Sequence, residues 1–259
     1  MVDLRLGDNK EVINTIPDNS IDMVLTSPPY DNLRTYKDAP VWTWEDFKSL
    51  ANGLYRVLKQ GGVIVWVVGD ATIDGSETGT SFKQALYFKE IGFNIHDTML
   101  YKKINFMPQT NNRYEQEFEY MFVFSKGKPK TFNPIKIPCK YGGQFTFGDT
   151  TFVQADGSLK RMEKHQVRET KYHGNVWEYR TGSLVTNNTN HPAVFPEDLC
   201  RDMIVSWSNE GDTVLDPFMG SGTSGKIANL LKRNYIGIEI SPDYYEVADI
   251  NIGNRNVLW

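Results

Sequence analysis

The feature that most constrains the fold is a glycine-rich loop close to the carboxyl end of the chain. Residues 220–225 read GSGTSG; they follow a strand predicted at 213–216 and open a helix predicted at 223–233. Glycines in such a loop let the backbone approach a ligand closely, and an acidic residue ending the next strand, here Glu239, can bind ribose hydroxyls. The pattern predicts a nucleotide-type site at the carboxyl end of a strand.

The position of this loop disfavours an ordinary dinucleotide-binding enzyme. Only 34 residues follow Gly225 in a chain of 259, which is room for a helix, a strand and a final helix. The other strands of the sheet must therefore be encoded upstream. The loop then follows a central strand that the chain reaches late, in a circularly permuted order. A nicotinamide-dependent dehydrogenase becomes a minor alternative.

Strands and helices alternate upstream of the loop. Apolar and β-branched runs predict strands at 21–25, 63–68, 93–102, 118–124 and, after the loop, 235–240. Helical spacing of apolar residues predicts helices at 44–59, 80–90 and 197–208. Gly61 and Gly62 are expected to stop the first of these helices. This alternation predicts an α/β chain with a parallel sheet and helices on both of its faces.

Composition is that of an ordinary soluble globular protein. Hydrophobic residues make up 40% and charged residues 23% of the chain. The first ten residues, MVDLRLGDNK, lack the apolar core of a signal peptide, and no apolar run is long enough to span a membrane. Cys139 and Cys200 are too few and too far apart for a disulfide framework or a zinc site. We therefore expect a cytoplasmic protein.

Basic charge is concentrated in one part of the chain, although the net charge is −4. Residues 125–181 hold 11 Lys and Arg against 5 Asp and Glu, whereas 1–124 and 182–259 each carry a balance of −5. The basic block contains the aromatic residues Phe132, Tyr141, Phe145, Phe147, Phe152, Tyr172, Trp177 and Tyr179. Such a patch is typical of a surface that binds phosphate groups. The alternative is a solvated, irregular insertion that happens to be basic.

A second motif lies at the end of the strand predicted at 21–25. Residues 26–30 read TSPPY, and the two prolines fix φ and remove two N–H donors, which leaves rigid carbonyl acceptors. A serine hydroxyl before them and an aromatic ring after them complete a polar clamp. The clamp could hold a planar base and accept hydrogen bonds from its amino group. A plain Pro-Pro turn is an equally good interpretation of the pentapeptide taken alone.

Together these motifs resemble those of the amino-methyltransferase family of DNA modification enzymes, which make N4-methylcytosine or N6-methyladenine. The family's catalytic motif, (S/N/D)-P-P-(Y/F/W), matches residues 27–30, and its cofactor motif, D-P-F-x-G-S-G-T, matches residues 216–223. Further family segments are similar to 6–8 (LGD), 190–196 (NHPAVFP) and 235–240 (YIGIEI). The catalytic motif comes first, which is the order of the family's beta group and agrees with the permutation inferred above.

The resemblance implies a circularly permuted, Rossmann-like S-adenosylmethionine-dependent methyltransferase fold with an inserted target-recognition region. It divides the chain into a catalytic part at 1–124, the target-recognition insertion at 125–185 and a cofactor-binding part at 186–259. The implied catalytic residues are Ser27, Pro28, Pro29 and Tyr30. The residues implied to bind S-adenosyl-L-methionine are Asp8, Thr26, Pro192, Phe195, Asp216, Pro217, Phe218, Gly220, Ser221, Gly222, Thr223 and Glu239. No metal ion is implied.

The implied substrate is a base flipped out of duplex DNA and stacked on Tyr30. The Ser27 hydroxyl and the Pro28 carbonyl would accept hydrogen bonds from the exocyclic amino group and aim its nitrogen at the methyl group. Serine in the first position of the clamp favours cytosine N4, as does the 190–196 segment. Adenine N6 is the alternative, because both bases present the same N–C–NH₂ edge.

Three rival functions are each suggested by a single feature. Pro138-Cys139 is the dipeptide that carries the nucleophile of cytosine-C5 methyltransferases, but here it lies in the irregular region. Glutamine-N5 methyltransferases use a similar clamp, but their cofactor motif precedes it. A regulatory DNA-binding subunit with a decayed pocket is a non-enzymatic alternative, and the intact motifs oppose it.

Double-stranded DNA is the partner that the resemblance implies. A homodimer is also implied, because the beta group often pairs through the region after the clamp, here about 31–60. The apolar residues Tyr36, Val41, Trp42 and Trp44 near the start of that region could form an interface, or instead a lid over the flipped base. A cognate restriction endonuclease is a further expected partner, without a stable complex.

Overall fold

The computed structural model describes residues 1–29, 41–105, 112–146, 151–161, 164–180 and 195–253. It divides the chain into two compact units. The first unit is formed by Met1–Asn133 and Asn175–Trp259, and the second by Pro134–Gly174. The second unit is shorter than the insertion expected at 125–185, because residues 125–133 and 175–185 are grouped with the first unit.

The elements of the first unit carry the sheet and the helices that position the site. The strands in the described residues are β1 (Val2–Leu6), β2 (Ile21–Thr26), β3 (Leu58–Val68), β4 (Thr72–Ile73), β5 (Ser76–Glu77), β6 (Asn94–Lys103), β7 (Phe118–Ser125), β8 (Lys136–Pro138), β9 (Thr151–Val153), β10 (Leu159–Arg161), β11 (Thr170–Tyr172), β12 (Val176–Tyr179), β13 (Thr213–Asp216) and β14 (Asn234–Glu239), of which β8 to β11 belong to the second unit. The helices are α1 (Asn9–Val12), α2 (Trp44–Val57), α3 (Thr80–Glu90), α4 (Glu197–Trp207), α5 (Thr223–Leu230) and α6 (Pro242–Ile252).

The first unit is built around an eight-stranded sheet with the order β1-β14-β13-β2-β3-β7-β6-β12. Of these strands, β7 pairs antiparallel with both β3 and β6, whereas the other described pairings in the sheet are parallel. The expected parallel sheet is therefore confirmed for most of its strands and is interrupted at the antiparallel β7. The sequence predicts no helix between β6 and β7, and without a crossover helix the chain returns beside the strand it has just left.

The strand that precedes the glycine loop is central, as the permuted order requires. β13 lies between β14, which follows it in the chain, and β2, which is encoded almost 190 residues earlier. The prediction of a circularly permuted α/β fold is thus confirmed. None of the helices in the described residues is long and apolar enough to cross a membrane.

The start of β3 differs from the sequence expectation. Helix α2 ends at Val57, and Leu58 already has the extended conformation of the strand that follows. Gly61 and Gly62 lie inside β3, not at the end of the helix, and the pairing of β2 with β3 shifts register beside them. Gly61 has a φ of +82°, and a Cβ there would meet the Lys128 carbonyl at 3.2 Å. Glycine is therefore required both by the left-handed backbone of the bulge and by the close approach of that carbonyl.

Several aromatic residues of the basic block belong to the core of the first unit. Trp177 and Tyr179 on β12 are only 7% and 8% exposed, so their assignment to a DNA-contacting surface is wrong. Alternation along a four-residue strand places both on the buried side of the sheet. In the described part of the second unit, the exposed aromatic side chains are Tyr141, Phe145, Phe152 and Tyr172.

Candidate active site

The ends of β2 and β13 meet at the carboxyl edge of the sheet. The two strands pair in parallel, with Leu215 opposite Val24. Close to the ends of both strands, the buried Thr26 hydroxyl donates to Asp216 Oδ1 at 2.7 Å. Because parallel neighbours end at the same edge, the clamp that begins at Ser27 starts beside the glycine-rich loop.

Asp216 joins three elements from a buried position. Its carboxylate accepts hydrogen bonds from the Thr26 hydroxyl, from the Phe218 amide at 3.0 Å and from the Ser224 hydroxyl on α5. Burial raises the pKa of Asp216, and these hydrogen bonds act in the opposite direction. At 2% exposure the carboxylate fixes the loop and is not an open ligand-binding group.

Glu239 at the end of β14 holds the other side of the glycine loop. Its Oε2 accepts from the Gly220 amide at 2.8 Å, and its Oε1 accepts from the Ser241 amide at 2.9 Å. Burial raises the pKa of Glu239 above that of an exposed glutamate. Each carboxylate oxygen has two lone pairs, so Glu239 can accept further hydrogen bonds while it holds the loop.

A cleft of about 490 Å³, counting the part open to solvent, lies at this edge of the sheet. Its lining residues are Gly7, Asp8, Asn9, Lys10, Pro29, Val41, Trp42, Asp46, Pro217, Phe218, Ile238, Glu239 and Ile240. The cleft thus brings together five residues that the sequence assigned to the site. They are Asp8, Pro29, Pro217, Phe218 and Glu239.

The other residues that the sequence assigned to the site do not line the cleft, as far as the structure describes them. Those that are buried are Thr26, Pro28, Asp216, Gly220, Ser221 and Gly222, and those that are partly buried are Ser27, Phe195 and Thr223. Tyr30 and Pro192 lie outside the described residues.

The cleft also contains residues that sequence reasoning missed. Lys10 Nζ lies 2.6 Å from Asp46 Oδ1 and 3.3 Å from Asp8 Oδ2, and the hydrogen bond with Asp46 raises the pKa of Lys10. Asp46 also closes a capping box with Thr43 at the start of α2. The T-x-x-D pattern at residues 43–46 predicts the start of a helix, but no local pattern indicates that this start borders the cleft.

Two polar atoms of the lining are buried without a hydrogen-bond partner among the described residues. They are the carboxamide oxygen Oδ1 of Asn9 and the indole nitrogen Nε1 of Trp42. Trp42 packs edge-on against Phe218, with ring centroids 5.0 Å apart. An acceptor, a donor, an aromatic wall and the carboxylates of Asp8 and Glu239 together fit a nucleoside-bearing ligand.

Comparison with known proteins agrees with this geometry. A family model described as DNA methylase matches residues 21–249, which is most of the chain. The chain belongs to the DNA methylase family. It is an S-adenosylmethionine-dependent DNA methyltransferase, and the resemblance inferred from the motifs is thereby confirmed.

The relatives of this DNA methylase match it over nearly its whole length. It is 49% identical to the orphan methyltransferase M.BamHII of Bacillus amyloliquefaciens over 251 residues, covering 94% of this chain and 92% of the relative. Among solved structures, the cytosine-N4-specific PvuII DNA methyltransferase aligns with a TM-score of 0.69 at 19% identity, covering 99% of this chain and 88% of that one.

A structure of a DNA modification methylase of Thermus thermophilus, complexed with S-adenosyl-L-methionine, aligns with a TM-score of 0.64 at 21% identity. The alignment covers 98% of each chain. At such identities the two structural likenesses establish the fold of the DNA methylase. The base that it methylates is a separate question.

Proposed function

We propose that this DNA methyltransferase transfers a methyl group to the exocyclic N4 of a cytosine flipped out of duplex DNA. The observation that carries the proposal is the cleft in which Pro29 of the clamp shares a lining with Asp8, Phe218 and Glu239. A clamp for the base and a pocket for the cofactor are then neighbours. Proximity of this kind converts a slow bimolecular reaction into one between positioned groups.

In this proposal the cleft would hold S-adenosyl-L-methionine, which would supply its methyl group as the sulfur–methyl bond breaks and would leave as the neutral thioether. The amino nitrogen of the base would release one proton to water. Glu239 accepts hydrogen bonds from the ribose hydroxyls, Asp8 borders the adenine, and Phe218 forms an apolar wall. Three carboxylates (Asp8, Asp46 and Glu239) and one ammonium group (Lys10) line the cleft. This excess of negative charge suits the positive sulfonium centre of the cofactor.

The clamp orients the base. The exocyclic nitrogen is a weak nucleophile because its lone pair is delocalised into the ring. Hydrogen bonds from its N–H groups to the Ser27 hydroxyl and the Pro28 carbonyl oppose that delocalisation and aim the nitrogen at the methyl group. Stacking on Tyr30 keeps the flipped base in plane.

Cytosine is favoured by the serine that opens the clamp and by the 190–196 segment. Adenine N6 is the alternative for the same site, since an adenine presents the same amidine edge to Ser27 and Pro28.

The second unit is proposed to contact DNA. Within residues 134–174 there are seven Lys and Arg against four Asp and Glu, and Lys140 and Lys164 lie over the rings of Tyr141 and Phe145. Exposed cations next to exposed rings suit phosphates and unstacked bases.

The remaining partners stay predictions. M.BamHII is named an orphan methyltransferase, which favours an enzyme that acts without a cognate endonuclease, although restriction–modification remains a prediction. Trp42 and Trp44 pack against the core of their own unit, so less of the expected dimer patch is free than the sequence suggested. A DNA substrate supports the cytoplasm as the site of action.

The variant Ser27→Ala tests the role of the clamp. We expect methyl transfer to unmethylated DNA to fall about 100-fold or more, because the nitrogen loses one of its positioning acceptors. The affinity for S-adenosyl-L-methionine and the melting temperature should stay near those of the wild type. The control is Ser76→Ala in the exposed β4–β5 hairpin, which should methylate normally. Full activity of Ser27→Ala would contradict the proposal.

A further inference from the structure

Three buried side-chain polar atoms in the described residues lack a hydrogen-bond partner, and two of them line the same cleft. We propose that Asn9 and Trp42 bind the adenosine part of S-adenosyl-L-methionine directly, with Trp42 Nε1 donating and Asn9 Oδ1 accepting a hydrogen bond. The inference rests on the assignment of this cleft to the cofactor in the proposed function. Neither residue belongs to the motifs that identify the family.

The Trp42 indole is held where its N–H group cannot reach another described residue. Its ring packs edge-on against Phe218 and against the hydrophobic core behind it. An indole nitrogen is a donor only, so a buried one without an acceptor costs free energy in the ligand-free protein. A cofactor that supplies the acceptor removes this cost on binding.

The Asn9 carboxamide is oriented by the hydrogen bond that its nitrogen atom Nδ2 donates. Its Nδ2 donates to the Pro217 carbonyl at 3.1 Å, and the side chain is only 8% exposed. This bond leaves Oδ1 as the unsatisfied atom, next to Asp8 at the start of α1. The same bond ties the first turn of α1 to the turn that follows β13, which limits how far the amide can rotate.

Trp42 Nε1 adds an unpaired donor to a lining whose carboxylates can only accept. Adenosine carries ring nitrogens that only accept, and the carboxylates of Asp8 and Glu239 cannot donate to them. Of the other side-chain donors in the described lining, Lys10 is engaged by Asp8 and Asp46, and Asn9 Nδ2 by Pro217. Trp42 Nε1 is the side-chain donor of the described lining that has no partner at all, so it is the one that a ring nitrogen or a ribose oxygen would satisfy.

The test compares Trp42→Phe with Trp44→Phe by calorimetric titration of S-adenosyl-L-methionine. Phenylalanine keeps an aromatic ring but removes the N–H group, so Trp42→Phe should weaken binding about tenfold. Its ligand-free melting temperature should be equal to or above that of the wild type, because an unpaired buried donor is lost. Trp44 stacks on Phe47 outside the lining, and its variant should bind within about twofold of the wild type. Asn9→Ala should weaken binding in the same sense as Trp42→Phe.

A measurement on the unmutated protein is independent of how the variants fold. With ¹⁵N-labelled tryptophan, the Trp42 indole resonance should move downfield and gain protection from hydrogen exchange when the cofactor binds. Wild-type affinity in Trp42→Phe and Asn9→Ala, with a stationary Trp42 resonance, overturns this inference alone. A loss of ligand-free stability in Trp42→Phe with unchanged affinity also overturns it, since that result indicates a packing role. Absence of cofactor binding to the wild type overturns the proposed function as well.

Discussion

At the Asp216 carboxylate, burial and hydrogen bonding oppose each other. Burial raises its pKa above the ordinary value of 3.8, so the folded state favours the protonated form more than the unfolded state does. Stability therefore falls as the pH rises from the ordinary pKa through the raised one, and the loss is complete above the raised pKa. The three donors from Thr26, Phe218 and Ser224 offset that penalty.

We expect Asp216→Asn and Asp216→Ala to differ strongly. Asparagine keeps the oxygen that accepts from Thr26 and Phe218, and its amide can donate to Ser224, so the free energy of unfolding should change by less than about 1 kcal/mol. Alanine removes the acceptor of all three donors, of which Ser224 Oγ keeps only its contact with Tyr235 Oη, and should cost about 2–4 kcal/mol. Thermal or urea unfolding of both variants measures the difference. Equal stabilities would show that the hydrogen bonds contribute little.

Glu239 gives the cofactor affinity a defined pH dependence. Its pKa lies above the ordinary 4.5, and the carboxylate must be ionised to accept from ribose while it holds Gly220 and Ser241. The affinity for S-adenosyl-L-methionine should therefore be highest above the raised pKa and fall as the pH falls through it. Titrations at pH values that descend from neutral toward the ordinary 4.5 should show this decline in the wild type and a flatter, weaker profile in Glu239→Gln. The same profile in both proteins would remove Glu239 from the cofactor site.

Single residues of the site could be predicted from the sequence only where they belong to a family motif. Asp8, Pro29, Phe218 and Glu239 were found in this way, and they line the cleft. Trp42 was interpreted as part of an interface or a lid, because its contact with Phe218 joins positions far apart in the chain and leaves no local pattern.

Helices α3 and α5 begin at glycines with the same left-handed backbone but different surroundings. Gly79 has a φ of +67° with open space around its Cα, whereas Gly222 has a φ of +82° and a Cβ there would lie 3.0 Å from the Ala248 backbone on α6. The left-handed backbone alone therefore requires glycine at position 79. At position 222, the left-handed backbone and the packing of α6 both require it.

Gly79→Ala and Gly222→Ala separate these two causes. Each alanine should cost about 1 kcal/mol for its left-handed backbone. Gly222→Ala should cost about 2–4 kcal/mol in total, because α6 must move away from the glycine loop. Chemical unfolding measures both values. Similar losses in the two variants would show that α6 adapts without cost.

Most elements could be predicted from local pattern, because apolar periodicity reports which face of a strand or helix is buried. The helix expected at 80–90 and the strand expected at 213–216 agree with α3 and β13. The direction of β7 and the place of Gly61 in a bulge could not be predicted. Both depend on which strands become neighbours in the sheet.

At the scale of the whole molecule, the permuted order followed from counting the residues left after the glycine loop. The DNA-binding surface was less predictable, because a charge balance does not separate exposed residues from buried ones. Lys140 and Lys160 are exposed in the second unit, whereas Trp177 and Tyr179 are buried in the first.

The double variant Lys140→Gln/Lys160→Gln should weaken DNA binding and lower the slope of log affinity against log salt by about one unit per lost phosphate contact. Cofactor affinity should not change. The matched control is the double variant Lys89→Gln/Lys232→Gln, which should bind DNA normally. Both lysines are exposed and precede β6 and β14 at the amino edge of the sheet, the edge opposite the cleft. An equal loss in both double variants would indicate a nonspecific effect of charge.

The central claim is tested most directly by identifying the methylated base. Purified protein is incubated with unmethylated duplex DNA and S-adenosyl-L-methionine that carries a deuterated methyl group, and the digested nucleosides are analysed by mass spectrometry. The account predicts the label in N4-methylcytosine. Label in N6-methyladenine alone would contradict the assignment of the base, and DNA without label would contradict the proposed reaction.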